Sequence, residues 1–220
     1  MSLTLSSSSR YPRCSGRRFF GTASSTAISV ARPTRPRRSS LLDSFFVPTP
    51  QDVVEKMLEL ANVRARGLVY DLGCGDGRIV VTAAKKYGCK AVGYETDADL
   101  VELARGNVKK SEVERLVKIE QRDLFTVDLS KASVVTLYLV PRMNARLISQ
   151  LETLKTGSRI VSHDSGILGI RPDKVVKCIS NEDGAEHTLY LWTAPLRTRQ
   201  NQGRVSGNDP IGAPEGQSAP

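Results

Sequence analysis

Three groups of residues could do chemistry, and each closes a short apolar run. The first is Asp71-Leu72-Gly73-Cys74-Gly75-Asp76-Gly77, running on from Leu68-Val69-Tyr70. Glycines at alternate positions let the backbone approach a ligand with no Cβ in the way, and take φ > 0 where needed. Two phosphate-binding patterns fail here. Counted from Gly73, a dinucleotide fingerprint needs its third glycine where Arg78 stands, and a P-loop needs Lys and Ser/Thr where the chain has Arg78-Ile79. Asp71 adds negative charge, which repels a pyrophosphate and attracts an ammonium. The second group ends at Glu95, 18 residues beyond Gly77. That is near the offset of an acid accepting from both ribose hydroxyls. The third ends at Asp123, followed by Leu124-Phe125. An acid there can accept from an adenine amino group while Leu124 or Phe125 packs on the base. The ligand implied has an adenine, a ribose and a cationic, amine-bearing end, with no phosphate. S-adenosyl-L-methionine has those parts.

The elements that must position these residues alternate in type. TPQDVVEKMLELANV reads as a helix, with Thr49 as N-cap, Pro50 at the first helical position and Asp52 as a capping-box acid. Val53, Val54, Met57, Leu58 and Ala61 fall on one face of it. LVYDL, CKAVGYET, LVKIEQRD, SVVTLYLV and SRIVSHD read as strands. RIVVTAAKKY, DADLVELARGNVKKSE and MNARLISQLETLK read as the helices between them, with Gly88 and Gly157 as stops. VVKCIS and HTLYLW close the pattern as two strands around an Asp183-Gly184 turn. Alternation implies parallel pairing through crossovers, and two strands with no helix between them imply a hairpin. The expectation is an α/β, doubly wound, Rossmann-like sheet of seven strands with a C-terminal antiparallel hairpin. Ligands bind such sheets beyond the carboxyl ends of the strands. The fourth and fifth ends therefore matter too. Tyr138 could line a substrate channel and Pro141 could shape it, while His163 and Asp164 could orient an amine or take its proton. His187 and Trp192 read as packing, and Asp76 and Arg78 as loop and helix-start residues.

DLGCGDGR, GYE and RDLF together resemble the seven-strand, class I methyltransferases that use S-adenosyl-L-methionine. FVPTPQDVVEKML and VSHDSG resemble more narrowly a family of small methyltransferases. Its better-known members are the mitochondrial lysine methyltransferases of the adenine nucleotide translocase and the ATP synthase c-ring protein. The resemblance covers nearly all of 46–195. It implies that Gly73, Gly75, Gly77, Glu95 and Asp123 hold the cofactor, with Asp71 and Leu124 beside them, and that the acceptor is a protein lysine. A small-molecule or rRNA methyltransferase, or a non-catalytic cofactor-binding module, shares the fold. Where adenine-amine methyltransferases carry Asn-Pro-Pro-Tyr, this chain has Tyr138-Leu139-Val140-Pro141, so no DNA substrate is expected.

The net charge of +9 on 220 residues resembles a nucleic-acid signal until it is located. Residues 1–45 carry +7, residues 46–195 only +1, and residues 196–220 the remaining +1. The basicity belongs to the ends. The first 45 residues hold eight Arg and one acid and are rich in Ser, the composition of an organelle transit peptide. The Ser-rich start favours a chloroplast, the later Arg-rich part a mitochondrion. The domains expected are 1–45 as a leader, 46–195 as the methyltransferase domain and 196–220 as a disordered tail. No run of about 18 apolar residues suggests a membrane span, although the substrate could itself be a membrane protein. Cys14, Cys74, Cys89 and Cys178 show no C-x-x-C spacing, so reduced, partly buried thiols are expected and no metal site.

Overall fold

The computed structural model describes residues 46–197; the expected leader and nearly all of the expected tail lie outside them. Apolar residues at helical spacing fold Gln51–Leu60 into α1, which buries Val53, Val54, Met57 and Leu58. β1 (Leu68–Leu72) follows, then α2 (Arg78–Tyr87), β2 (Lys90–Glu95), α3 (Ala98–Lys110) and β3 (Val117–Gln121). A 3-10 turn at Leu124–Thr126 leads to β4 (Val134–Leu137). Next come α4 (Pro141–Arg146), α5 (Ile148–Leu151), β5 (Arg159–His163), β6 (Lys174–Ile179) and β7 (Glu186–Thr193). The seven strands form one sheet in the order β3-β2-β1-β4-β5-β7-β6. β1 to β5 run parallel, and β7 pairs antiparallel with both β5 and β6. The expected architecture is the observed one.

Two apolar layers sandwich the sheet. α1, α2 and α3 cover one face with Met57, Leu58, Val80, Ala83, Val101 and Ala104. Leu147, Leu151, Leu129 and Trp192 cover the other. The strand order reverses between β1 and β4, the place where open α/β sheets leave a crevice at the carboxyl ends. Asp71 lies in register with Thr136, and Thr136 with Val161. Alternation along the strands then puts Tyr138 and His163 on the same face, one step further toward the crevice.

Two local expectations are corrected. Pro50 is the N-cap of α1 rather than its first residue, and Thr49 does not cap the helix. Asp52 does not reach back to the N-cap either. It accepts from Ser180 Oγ at 2.9 Å and from the Asn181 N–H at 2.7 Å, tying α1 to the β6–β7 turn. The single helix expected after Pro141 is broken at Leu147 into two short pieces. Leu147 and Leu151 still reach the core, so the helical period holds across the break although the continuous length does not.

Candidate functional site

The loop between β1 and α2 is shaped by its glycines. Gly73, Gly75 and Gly77 all have positive φ, at 80°, 52° and 78°. The N–H groups of Gly73 and Cys74 both donate to the Tyr94 carbonyl, at 2.9 and 3.0 Å. A Cβ on Gly77 would meet Ala104 of α3 at 3.1 Å, and one on Gly75 would collide with the Phe46 ring. Cys74 packs its sulfur where a Cβ on Gly93 would stand. Burial pushes its thiol pKa up, so it is an inert core residue.

Glu95 closes β2 and turns its carboxylate onto this loop. Oε2 accepts from the Gly75 N–H at 3.0 Å, while Oε1 accepts from the N–H groups of Thr96 and Asp97 at 2.7 and 3.2 Å. A carboxylate has about four acceptor positions. Three are used by backbone here, so Glu95 has room for one hydroxyl without losing a donor it already holds. The Arg122 N–H donates to the Glu95 carbonyl at 2.8 Å, which places the end of β3 beside the end of β2. Asp123 is exposed, and its Oδ1 caps the 3-10 turn through the Phe125 N–H at 2.9 Å. Leu124 is buried in the core below that turn. Phe125 carries the Arg146 guanidinium 3.6 Å above its ring centroid, which leaves its other face for a base.

Asp71 is buried among neutral groups. Its Oδ1 accepts from the Thr136 hydroxyl at 2.6 Å, while its Oδ2 is buried with no partner among the described residues. Burial pushes its pKa up to about 7, partly offset by the Thr136 hydrogen bond and reinforced by the charges of Glu95 and Asp76. An orphaned buried carboxylate oxygen beside a glycine loop calls for a cationic donor. The amine-bearing end of S-adenosyl-L-methionine is such a donor, so the residues present fit that cofactor.

Tyr138, His163 and Asp164 come together at the ends of β4 and β5. The Tyr138 and His163 rings lie 4.0 Å apart between centroids, tilted by 37°. Tyr138 is half-buried, and its hydroxyl makes no hydrogen bond among the described residues. Leu139 reaches the glycine loop, within 3.0 Å of a Cβ on Gly73. Pro141 opens α4. His163 is fully buried, and both of its ring nitrogens are engaged. Nδ1 meets Thr49 Oγ1 at 3.1 Å, and Nε2 meets His187 Nδ1 at 2.8 Å. It therefore cannot take a proton from a substrate directly.

Several members of the site escaped the sequence. His187, read as packing, is the partner of His163. Thr49, read as a helix cap, holds the other nitrogen of that ring. Arg78, read as a helix-start residue, grips the Asp76 carboxylate and donates to the Thr49 carbonyl at 2.7 Å. It ties the segment before α1 to the glycine loop. The signal that was available was FVPTP itself: an uncharged, proline-bounded stretch just ahead of a helix.

A family model for the ANTKMT methyltransferase domain matches residues 71–174. A protein-lysine N-methyltransferase of Saccharolobus islandicus is 45% identical over 150 residues, covering 67% of this chain and 91% of that protein. The chain belongs to this methyltransferase family. The human lysine N-methyltransferase named for the ATP synthase c-ring protein is 37% identical over 118 residues. Those residues are 53% of this chain and 50% of the human protein, so the match spans about half of that relative. A crystal structure described as an RNA methyltransferase from Salinibacter ruber, bound to S-adenosyl-L-homocysteine, is 47% identical with a TM-score of 0.62. It covers 68% of this chain and 94% of that one. The family and the fold are those of S-adenosyl-L-methionine-dependent methyltransferases.

Proposed function

We propose that this enzyme methylates the side-chain amine of lysine in a protein. The observation that carries the reading is the 45% identity to a protein-lysine N-methyltransferase along 91% of that protein's length. Gly73, Gly75 and Gly77 admit the methionine end of the cofactor, and Asp71 Oδ2 accepts from its ammonium. Glu95 takes a ribose hydroxyl, Asp123 the adenine amino group, and Leu124 supports the turn that carries Phe125 against the base. The bound cofactor supplies an electrophilic methyl group, and the chain supplies position. A lysine ammonium has a reference pKa of ~10.4 and must lose a proton before it attacks. Partial burial beside Tyr138 and Pro141 disfavours the charged amine. The free Tyr138 hydroxyl orients it, and Asp164 offers a nearby carboxylate for the proton. Exposed apolar side chains on three loops, at Phe46, Val47, Val140 and Leu168, suit a protein segment as acceptor.

A second reading, RNA methylation, is favoured by the Salinibacter structure. One experiment separates the two. Full-length protein and radiolabelled cofactor are incubated with fractionated organelle extract, and the labelled fraction is treated with protease or ribonuclease. Protease-sensitive label that maps to lysine supports the proposal. Ribonuclease-sensitive label overturns it, and label in the lipid fraction or none at all points to a small molecule or a binding module.

The composition of the ends supports a division into a leader at 1–45, a catalytic domain at 46–195 and a tail at 196–220. An organelle is the proposed location. Mitochondrion is preferred to chloroplast because relatives are named for the c-ring protein of ATP synthase and for adenine nucleotide translocase. A fluorescent fusion of residues 1–45 that stays in the cytosol would remove this reading.

A further inference from the structure

Four separate parts of the chain converge on the imidazole of His187. β5 contributes His163, and the residue after it contributes Asp164. The β6–β7 turn contributes Asp183, and the segment before α1 reaches the cluster through Thr49. His187 Nδ1 lies 2.8 Å from His163 Nε2 and 3.2 Å from Asp164 Oδ2, and its Nε2 lies 3.2 Å from Asp183 Oδ2. Asp164 is held in place although its φ is 53°, and its Oδ1 accepts from the Thr188 N–H at 2.7 Å. The chain has two histidines, and both are in this cluster.

The hydrogen bonds have one consistent assignment. Both Asp carboxylates are acceptors, so each needs a donor from His187. An imidazolium at 187 provides two: Nε2–H to Asp183, and Nδ1–H between Asp164 and His163 Nε2. That bond leaves His163 Nε2 an acceptor and fixes its proton on Nδ1, where it donates to Thr49 Oγ1. The electrostatics agree. Burial and the neighbouring imidazole pull the His163 pKa down to about 4 despite the pull of Asp164. At His187, burial is outweighed by the bonds to Asp164 and Asp183, and the pKa rises. The Tyr138 phenol and the Cys178 thiol, which points to the His187 carbonyl at 3.8 Å, are the other titratable groups packed on the cluster.

We infer that His187, clamped by Asp164 and Asp183, is a positioning residue for methyl transfer: it sets the tautomer of His163, and through it the attitude of Tyr138 and the seating of Thr49. This rests on the lysine-methylation reading only in that Tyr138 faces the acceptor. His163 presents Tyr138 with a flat, uncharged ring at 4.0 Å. Through Thr49 it also holds the Phe46–Pro50 segment, whose Phe46 lies on the glycine loop. Neither His163 nor His187 needs to touch substrate.

The test has two arms. Long-range 1H–15N correlation spectra of the full chain near neutral pH contain two imidazoles, one from each residue. The expected result is one neutral ring protonated at Nδ1 and one imidazolium, the first becoming a mixture of tautomers in His187→Leu. Two neutral rings in fast tautomer exchange, or a purified protein holding stoichiometric zinc or iron on these residues, would overturn the inference. This arm needs no acceptor, so it survives if the lysine reading fails. The second arm uses kinetics on whichever acceptor the labelling finds. His187→Leu lowers kcat about 10²-fold, the scale of an ångström-level misplacement, with cofactor Kd unchanged. His187→Gln keeps a donor toward His163 and recovers most of the loss. Equal losses in the two variants, or a loss confined to cofactor binding, would mean that His187 only supports the fold.

Discussion

At the scale of single residues, Asp71 couples pH to cofactor binding. Its folded-state pKa is raised to about 7 from a carboxylate's ordinary value. An acid held neutral by burial favours the folded chain below pH ~4, and that contribution is lost as pH rises through about 7. Cofactor binding runs the opposite way, because the ionised carboxylate is the form that pairs with an ammonium. Affinity therefore rises from about pH 6 to about pH 8, with a proton released on binding below about pH 7. Calorimetry in buffers of different ionisation enthalpy measures that proton. Asp71→Asn should abolish the proton release and weaken binding about 10-fold or more at about pH 8, the loss of a charge-assisted hydrogen bond. A pH-independent Kd in the wild type would show that Asp71 does not face the amine. Gly75 gives a second residue-scale prediction. Gly75→Ala carries a left-handed φ, at a cost of ~1–2 kcal/mol, and also meets the Phe46 ring. Phe46→Ala should relieve the clash but not the φ, so the double variant regains only part of the lost thermal stability. Full recovery would mean that backbone conformation at Gly75 is not a constraint.

At the scale of elements, the sequence was legible where a single period or a single spacing decided the outcome. The five parallel strands and the hairpin followed from alternation. Glu95 and Asp123 followed from their distance along the chain, because strand ends in this topology lie side by side. Thr49, Arg78 and His187 were not legible for a common reason. Each acts through a partner at least 24 positions away, across elements whose relative placement no local pattern encodes. The segment before α1 shows this best. Its tie to the rest of the fold is the Arg78 guanidinium, aligned by Asp76 and aimed at the Thr49 carbonyl. Arg78→Leu should leave the sheet intact and loosen this segment alone. Amide exchange would then accelerate about 10-fold or more at Phe46–Gln51 while β1 and β4 stay protected, as expected of a local opening. Lysine at 78 keeps the charge without the planar fork and should restore only part of the protection. Uniform acceleration across the sheet would instead make Arg78 a determinant of global stability.

At the scale of the whole molecule, the question is where the charge acts. Residues 46–195 carry +1 and the first 45 residues +7, so a polyanion should respond to the ends and not to the catalytic domain. Counterion release makes such binding steeply salt-dependent. The full chain should be retained on a polyanion column at low salt and released as salt rises. A fragment of residues 46–197 should pass through, while keeping cofactor affinity within about twofold of the full chain. The same comparison weighs the two acceptors. An enzyme that reads RNA through its catalytic domain needs a basic surface around the crevice, and the fragment would then be retained with a salt slope of several charges. An enzyme that reads a lysine in a protein needs no such surface, and its fragment would still label a purified protein acceptor at undiminished kcat. Retention of the fragment, with label passing to RNA, would transfer the proposed substrate from protein to nucleic acid and leave the cofactor site as described.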